Sequence, residues 1–286
     1  MTEPITLGVS PKMHSELERK RAELGALLAR SGRTLVAYSG GVDSALLLAE
    51  AHRVLGDRAC GVIARSPSLP KEELAQALDL ASSRGIPVRV VRTEEMERPA
   101  YRANGPDRCF HCKSELFEKL SDLAREEGWD TLAYGAITDD LGDIRPGMTA
   151  AERLHVRAPL LEAGLSKLEV RMFARRIGLP VWDKPQAACL ASRIPHGSPV
   201  TEDKLEQVER GEALLKDRFG LRVLRLRHEG SKARIETDPA EIPRLSTPEN
   251  KQAILSALSG LGFTDVELDP RGYRRADPIP GPDLED

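Results

Sequence analysis

At 286 residues the chain can hold one large domain and a smaller one, each with its own apolar core. Its 42 Lys and Arg nearly balance 45 Asp and Glu, and aromatics are only 4 % of it. Neither a chain-wide basic field nor a base-stacking platform points to nucleic acid. The start, Met1-Thr2-Glu3-Pro4, lacks a basic and apolar leader pattern, and no apolar run nears the roughly 20 residues of a membrane span. A cytoplasmic protein with no membrane partner is expected, its four cysteines serving as thiols, ligands or nucleophiles and not as two disulfides.

A helix is predicted over 13–30, where Leu17, Leu24, Leu27 and Leu28 form a stripe and Gly32 stops it. From Thr34 an apolar, β-branched run then reads as a buried strand that gives way to a tight small-residue loop through Ser44, and the run to about Leu55 as a helix ended by Gly56. Gly40 and Gly41 let the backbone approach a ligand closely. Ser39, Asp43 and Ser44 crowd the helix entrance, where free N–H groups and the dipole attract anions. The plainer alternative is a strand-to-helix turn with polar caps. The whole string Ser-Gly-Gly-Val-Asp-Ser, however, resembles the phosphate loop of the PP-loop ATP pyrophosphatase superfamily. No lysine follows the glycines, so it is not a Walker loop. The resemblance implies an ATP site at Ser39, Gly40, Gly41, Val42, Asp43 and Ser44, with cleavage between the α- and β-phosphates.

A second strand is predicted over 60–64, a helix over 70–84 and a third strand over 86–91. Strands alternating with helices argue for an α/β fold with a parallel sheet covered on both faces. Ligands then sit beyond the carboxyl ends of the strands, around 39–44, Arg65-Ser66 and the segment after Val91. A helix over 113–127 and a strand over 131–135 follow. The acidic, glycine-rich loop 136–147 is aimed at the same crevice, or is a solvated turn. A helix over 166–177 opens with a capping box, Ser166 and Glu169. Lys167 is a cation in its first turn, where the dipole disfavours it; a phosphate partner would offset that, and an exposed side chain would tolerate it.

Cys109 and Cys112 form a C-x-x-C at the start of a helix, and Cys189 lies in Ala188-Cys189-Leu190-Ala191-Ser192-Arg193. The three thiols suit a zinc site with His196 as a fourth ligand, or a 4Fe-4S cluster with one iron lacking a thiolate. His111, caught between the two thiols, is a poor ligand, and Cys60 reads as core. Beyond Ile194-Pro195-His196-Gly197 the composition shifts. Helices are predicted over 201–218 and 250–261, and strands over 221–227, 232–237 and 264–268. On the first of these strands Val223, Arg225 and Arg227 share one face, and paired arginines suit a phosphate unless they are merely a solvated basic face. From Arg271 the Pro, Asp and Arg composition reads as a disordered tail. The expected domains are 1–197, 198–270 and a tail at 271–286.

The loop, Arg108-Cys109-Phe110-His111-Cys112-Lys113, Asp139 to Gly147, Ala158 to Gly164, Lys167 to Arg171, and Gly178 to Pro185 leading into Ala188 to Pro195 come in the order seen in LarE. That is the family of pyridinium-3,5-biscarboxylic acid mononucleotide sulfurtransferases of nickel-pincer nucleotide synthesis, which the chain resembles up to about Asp269. The resemblance implies a PP-loop fold, adenine nucleotide alpha hydrolase-like, with a small C-terminal α/β domain. ATP and Mg2+ would adenylate a pyridinium carboxylate, and sulfur would then displace AMP. Ala64, Gly135 and Lys167 would join the loop in binding ATP, and Asp43, Lys113 and Cys189 would be catalytic. Asp140, Arg145, Arg193, Arg225, Arg227 and Glu236 would bind the mononucleotide, Arg225 and Arg227 at its 5′-phosphate. One branch of the family gives up the sulfur of the cysteine matching Cys189. The C-x-x-C here resembles the other, three-cysteine branch, in which Cys109, Cys112 and Cys189 would hold a 4Fe-4S cluster. A homo-oligomer and a downstream nickel-insertion protein are also implied. Two alternatives are a PP-loop iron-sulfur tRNA thiolase, and a non-catalytic ATP- or zinc-binding module.

Overall fold

Short apolar runs that could not stand alone in water pair as strands, and helices cover both faces of them. The structure, a computed structural model, describes residues 11–142, 146–185 and 188–273. The first helix, α1 (Pro11–Ala29), buries Leu17, Leu24 and Leu28 and keeps its charges outside. There follow β1 (Thr34–Ala37), α2 (Val42–Leu55), β2 (Ala59–Arg65), α3 (Lys71–Ser83) and β3 (Val88–Arg92). After the short α4 (Pro99–Arg102) come α5 (Arg108–Glu127) and β4 (Thr131–Tyr134).

The four strands are all parallel, in the order β3-β2-β1-β4, with Leu35 opposite both Cys60 and Leu132. The chain builds outward from β1 to β3 and then returns to the far side of β1. That reversal opens a crevice at the carboxyl ends of β1 and β4, the usual ligand position in such sheets. The fold is therefore the expected α/β sheet with helices on both faces. Alternate residues of the central strands face opposite ways. Val36 and Ile63 pack among Leu46, Leu47 and Leu48 of α2, while Leu35, Cys60 and Val62 pack with Phe117 and Leu120 of α5. Each such side chain stabilises the fold by about 1.5–3 kcal/mol relative to exposure. The edge strand β3 starts two residues later than its apolar pattern suggests. Ile86 closes α3 instead, its N–H donating to Ala81 O at 3.0 Å.

Beyond β4 lie α6 (Pro146–Arg153), α7 (Pro159–Glu162) and α8 (Lys167–Arg176), the last opened by the expected Ser166–Glu169 capping box. The rest of the chain forms α9 (Glu202–Phe219), β5 (Leu224–Glu229), β6 (Lys232–Thr237), α10 (Ile242–Leu245), α11 (Pro248–Ser259) and β7 (Asp265–Leu268). Strands β5 and β6 are an antiparallel hairpin, and β7 runs parallel to β6. Strand β5 begins at Leu224, not 221, because Leu221 N–H turns back to Lys216 O at 3.2 Å and finishes α9. The core under this sheet reaches across 197–198: Leu190, Ala191 and Ile194 pack in it beside Leu226 and Phe263, as does Tyr101 from α4. Residues 271–273, expected to begin a disordered tail, are held on the sheet by Gly272 N–H to Asp269 O and Tyr273 N–H to Thr237 O. The rest of that tail, 274–286, lies outside the described residues. Among the described residues no helix is long and apolar enough to cross a membrane.

Gly135, directly after β4, sits against the first turn of α2. A Cβ there would stand 2.9 Å from Ser44 N and 3.0 Å from Asp43 C, both backbone atoms that cannot swing aside. Gly135→Ala should therefore destabilise the protein by about 1–3 kcal/mol, as overpacking does. A denaturant midpoint equal to that of the parent would show that β4 and α2 do not need this close approach.

Candidate functional site

The loop between β1 and α2 is built around one left-handed residue. Gly40 has φ +76°, and a Cβ on it would lie 2.7 Å from Ala77 Cβ. Ser39 N–H donates to Ser44 Oγ at 3.1 Å, the two hydroxyls are 3.0 Å apart, and Ser44 Oγ donates to Gly41 O at 3.1 Å. Both serines thus shape the loop. Gly41 is the N-cap of α2 and supplies no side-chain acceptor, so no cap side chain competes for the N–H groups of the first turn. Together with the positive end of the helix dipole they form a place for an anion.

Asp43 and Lys167 face each other across this loop, with Nζ 2.7 and 2.9 Å from the two carboxylate oxygens. Burial raises the Asp43 pKa, Lys167 opposes that rise and Asp140 adds to it. Lys167 is neither bare nor fully exposed at the head of α8. Its charge meets Asp43, and its backbone N–H donates to Asp139 Oδ2 at 2.8 Å. The unfavourable dipole at this position is offset within the protein itself.

A cavity of about 780 Å³ spreads over the carboxyl ends of the strands. Into it come Ser39, Gly41, Val42, Asp43 and Ser44 of the loop, with Ala64, Gly135, Asp140 and Lys167. Gly40 is not among the residues that line it. Cys109, Cys112, Lys113 and Cys189 line the same cavity. Cys109 and Cys112 stand three apart in the first turns of α5, on one helix face. Cys109 and Cys189 are exposed, and Cys112 is partly covered by the second core. Burial pushes the Cys112 thiol up to about 12; Lys113 works against this, and Glu95, Cys189 and Cys109 add to it. Among the described residues no group of three His, Cys, Asp or Glu is already arranged to hold a metal ion. His196 is not among the residues lining that cavity, and its Nδ1 lies 3.1 Å from Asn104 O.

Asn104 and Arg108, which sequence patterns alone did not single out, place Cys189. Asn104, at φ +58°, donates from Nδ2 to Pro195 O and Ser198 O, both at 2.8 Å. The buried Arg108 donates to Asn104 Oδ1 and, at 2.9 Å, to Ala191 O. Leu190 N–H adds a bond to Ser68 O at 2.8 Å. The Asn104-Gly105 dipeptide is a local signal that could have marked this turn.

The arginines expected to bind substrate fall into different situations. Arg193 is buried: it donates from Nη1 to Ala188 O at 2.7 Å and pairs with Glu212 at 2.9 Å, while Glu212 also accepts Leu226 N–H. Its guanidinium bridges the cysteine segment and α9. Arg227 and Glu236 bind each other through two parallel bonds of 2.9 Å, and Arg227 Nη1 donates to Ser192 O at 2.7 Å. Arg225 is half-buried, and burial lowers its pKa, with Arg193 and Arg227 pushing the same way and Tyr273 and Glu236 opposing. As the sequence suggested, Arg225 and Arg227 share the face of β5 opposite Leu224 and Leu226. Asp140 lines the cavity, its Oδ2 accepting Ile137 N–H at 3.0 Å. Arg145 lies outside the described residues.

No family model matches the chain. Among known proteins it is 42 % identical over 262 residues to an uncharacterized protein of Synechocystis, spanning 92 % of this chain and 96 % of that one. It is 34 % identical over 259 residues to the pyridinium-3,5-bisthiocarboxylic acid mononucleotide synthase of Lactiplantibacillus plantarum, spanning 90 % and 93 %. It is also 30 % identical over 224 residues to the glutamine-hydrolyzing GMP synthase of Aeropyrum pernix, covering 72 % of this chain but 42 % of that protein.

Removing one partner of a buried ion pair leaves the other charge uncompensated. Glu212→Ala should therefore cost about 3–5 kcal/mol in denaturant unfolding. A loss below about 1 kcal/mol, the range of an exposed pair, would show that Arg193 does not depend on Glu212.

Proposed function

This chain belongs to the LarE family, and on that premise we propose that it uses ATP to exchange carboxylate oxygen for sulfur on pyridinium-3,5-biscarboxylic acid mononucleotide. The observation that supports this most is that the phosphate loop and three cysteines share one cavity. Activation and sulfur delivery must reach the same acyl carbon, and a volume of about 780 Å³ is the size of a pocket for small-molecule ligands.

In this reading the Ser39–Ser44 backbone and the first turn of α2 hold the triphosphate. A substrate carboxylate oxygen attacks the α-phosphorus, the α–β P–O bond breaks, and pyrophosphate leaves with that bond's electrons. Lys167, already at the loop, balances the charge. Asp140 adds its charge to the surroundings of Asp43 and lines the same cavity, a pair suited to hold Mg2+ together with phosphate oxygens. Sulfur then attacks the acyl carbon of the mixed anhydride, and AMP departs with the former carboxylate oxygen. A second round treats the second carboxylate. Arg225, on the strand beside Ser192, takes the 5′-phosphate, with Arg227 held by Glu236 next to it. Residues 1–197 would carry activation and 198–270 the phosphate handle, with the product passing to a nickel-insertion protein.

Three thiols on one cavity form the donor set of a 4Fe-4S cluster, and Cys109, Cys112 and Cys189 would hold it. Such a cluster would supply sulfide, so that Cys189 keeps its own sulfur. Around it the chain fixes Cys189 through Arg193, Arg108 and Leu190 N–H, and keeps the Lys113 cation beside Cys112.

Asp43→Ala should abolish pyrophosphate release in a coupled phosphate assay and leave the thermal midpoint near that of the parent, because Lys167 remains partly solvated. Normal release would take the loop out of the mechanism. Anaerobic reconstitution should give about four irons per chain, and the intact mass of Cys189 should survive turnover. A zinc-only protein would refute the cluster, and a loss of one sulfur from Cys189 would make that residue the donor.

A further inference from the structure

Arg225 stands apart from its neighbours on the small sheet. Arg227 pairs with Glu236, and Arg234 with Glu229, Glu236 and Asp269. Among the described residues, no carboxylate reaches Arg225 at ion-pair distance; its contact is a phenol. The guanidinium lies 4.5 Å over the Tyr273 ring, and Nη2–H donates to the Tyr273 hydroxyl at 3.2 Å.

The phenol is held there by its backbone. Tyr273 N–H donates to Thr237 O at 2.6 Å, on the strand next to β5. Gly272 has φ +65°, and a Cβ on it would meet Thr237 O at 2.7 Å and Pro239 Cγ at 2.9 Å, so only glycine lets the strap lie this close. Asp269, only 4 % exposed, closes the turn by accepting from Arg234 at 2.7 Å and Arg271 at 2.9 Å.

Glu236, opposite Arg225 on β6, lends it some charge but bonds Arg227 and Arg234, so the half-buried Arg225 has no carboxylate bonded to it to make up for its lost hydration. A phenol oxygen that accepts from a guanidinium still has its own hydrogen to donate. We propose that Tyr273 completes an anion site for a phosphate monoester: its ring orients Arg225 and its hydroxyl donates to a phosphate oxygen. This rests on the reading of β5 as the handle for the mononucleotide's phosphate.

The test is equilibrium binding of the full chain to two probes, the biscarboxylated pyridinium mononucleotide and the nucleoside lacking its phosphate. Tyr273→Phe keeps the ring and should weaken the mononucleotide about threefold; Tyr273→Ala should weaken it about tenfold or more. Gly272→Ala should act in the same direction without touching either side chain. Nucleoside affinity should not move in any of them. Arg225→Ala tests the underlying reading: equal losses for both probes would remove the phosphate from β5, and this inference with it. If Arg225→Ala is selective while Tyr273→Phe and Tyr273→Ala leave mononucleotide affinity unchanged, the inference about Tyr273 fails and the phosphate reading stands. Equal losses of both probes in Tyr273→Phe would make the residue merely structural and overturn the inference as well.

Discussion

One constraint runs through the molecule: Cys189 sits on a segment with little regular structure, and long-range polar bonds must fix its place. The buried Arg193–Glu212 pair ties that segment to the small sheet, and Asn104 with Arg108 ties it to the start of α5. A buried pair of this kind contributes little net stability, since desolvation offsets much of the attraction. It does, however, penalise every alternative placement that would leave one charge alone. Leu190, Ala191 and Ile194 then supply the apolar contacts that bring the segment into a shared core. The three thiols consequently stand around one cavity although they lie up to 80 positions apart in the chain.

The second half of the site follows from charge balance at the phosphate loop. A helix N-terminus, a lysine and two aspartates face the same space. Asp43 and Lys167 neutralise each other there. The arginine face of β5 repeats the pattern. Glu236 bonds Arg227, and Arg225 meets the Tyr273 phenol instead.

What could be read from the sequence was what local chemistry controls. The strand and helix alternation, the Ser-Gly-Gly-Val-Asp-Ser loop, the Ser166–Glu169 capping box and the buried Cys60 each depend on neighbours within a few residues, and each stands in the structure as expected. The sharing of a face by Arg225 and Arg227 followed from the two-residue repeat of a strand. What could not be read depends on register or on distant partners. Arg227 and Glu236 meet because β5 and β6 pair antiparallel, and Arg193 finds Glu212 only after α9 docks. The helices α4, α7 and α10 are barely one turn long and carry no periodic signal. Tyr273 was hidden by a Pro, Asp and Arg composition that looks unstructured, yet a single glycine lets it lie on the sheet.

The central claim is that a substrate oxygen becomes the leaving group. It is tested most directly by following that oxygen. With the mononucleotide's carboxylates labelled with heavy oxygen, turnover by reconstituted protein should place one labelled oxygen in each AMP and none in pyrophosphate. AMP free of label, or label found in pyrophosphate, would contradict the account.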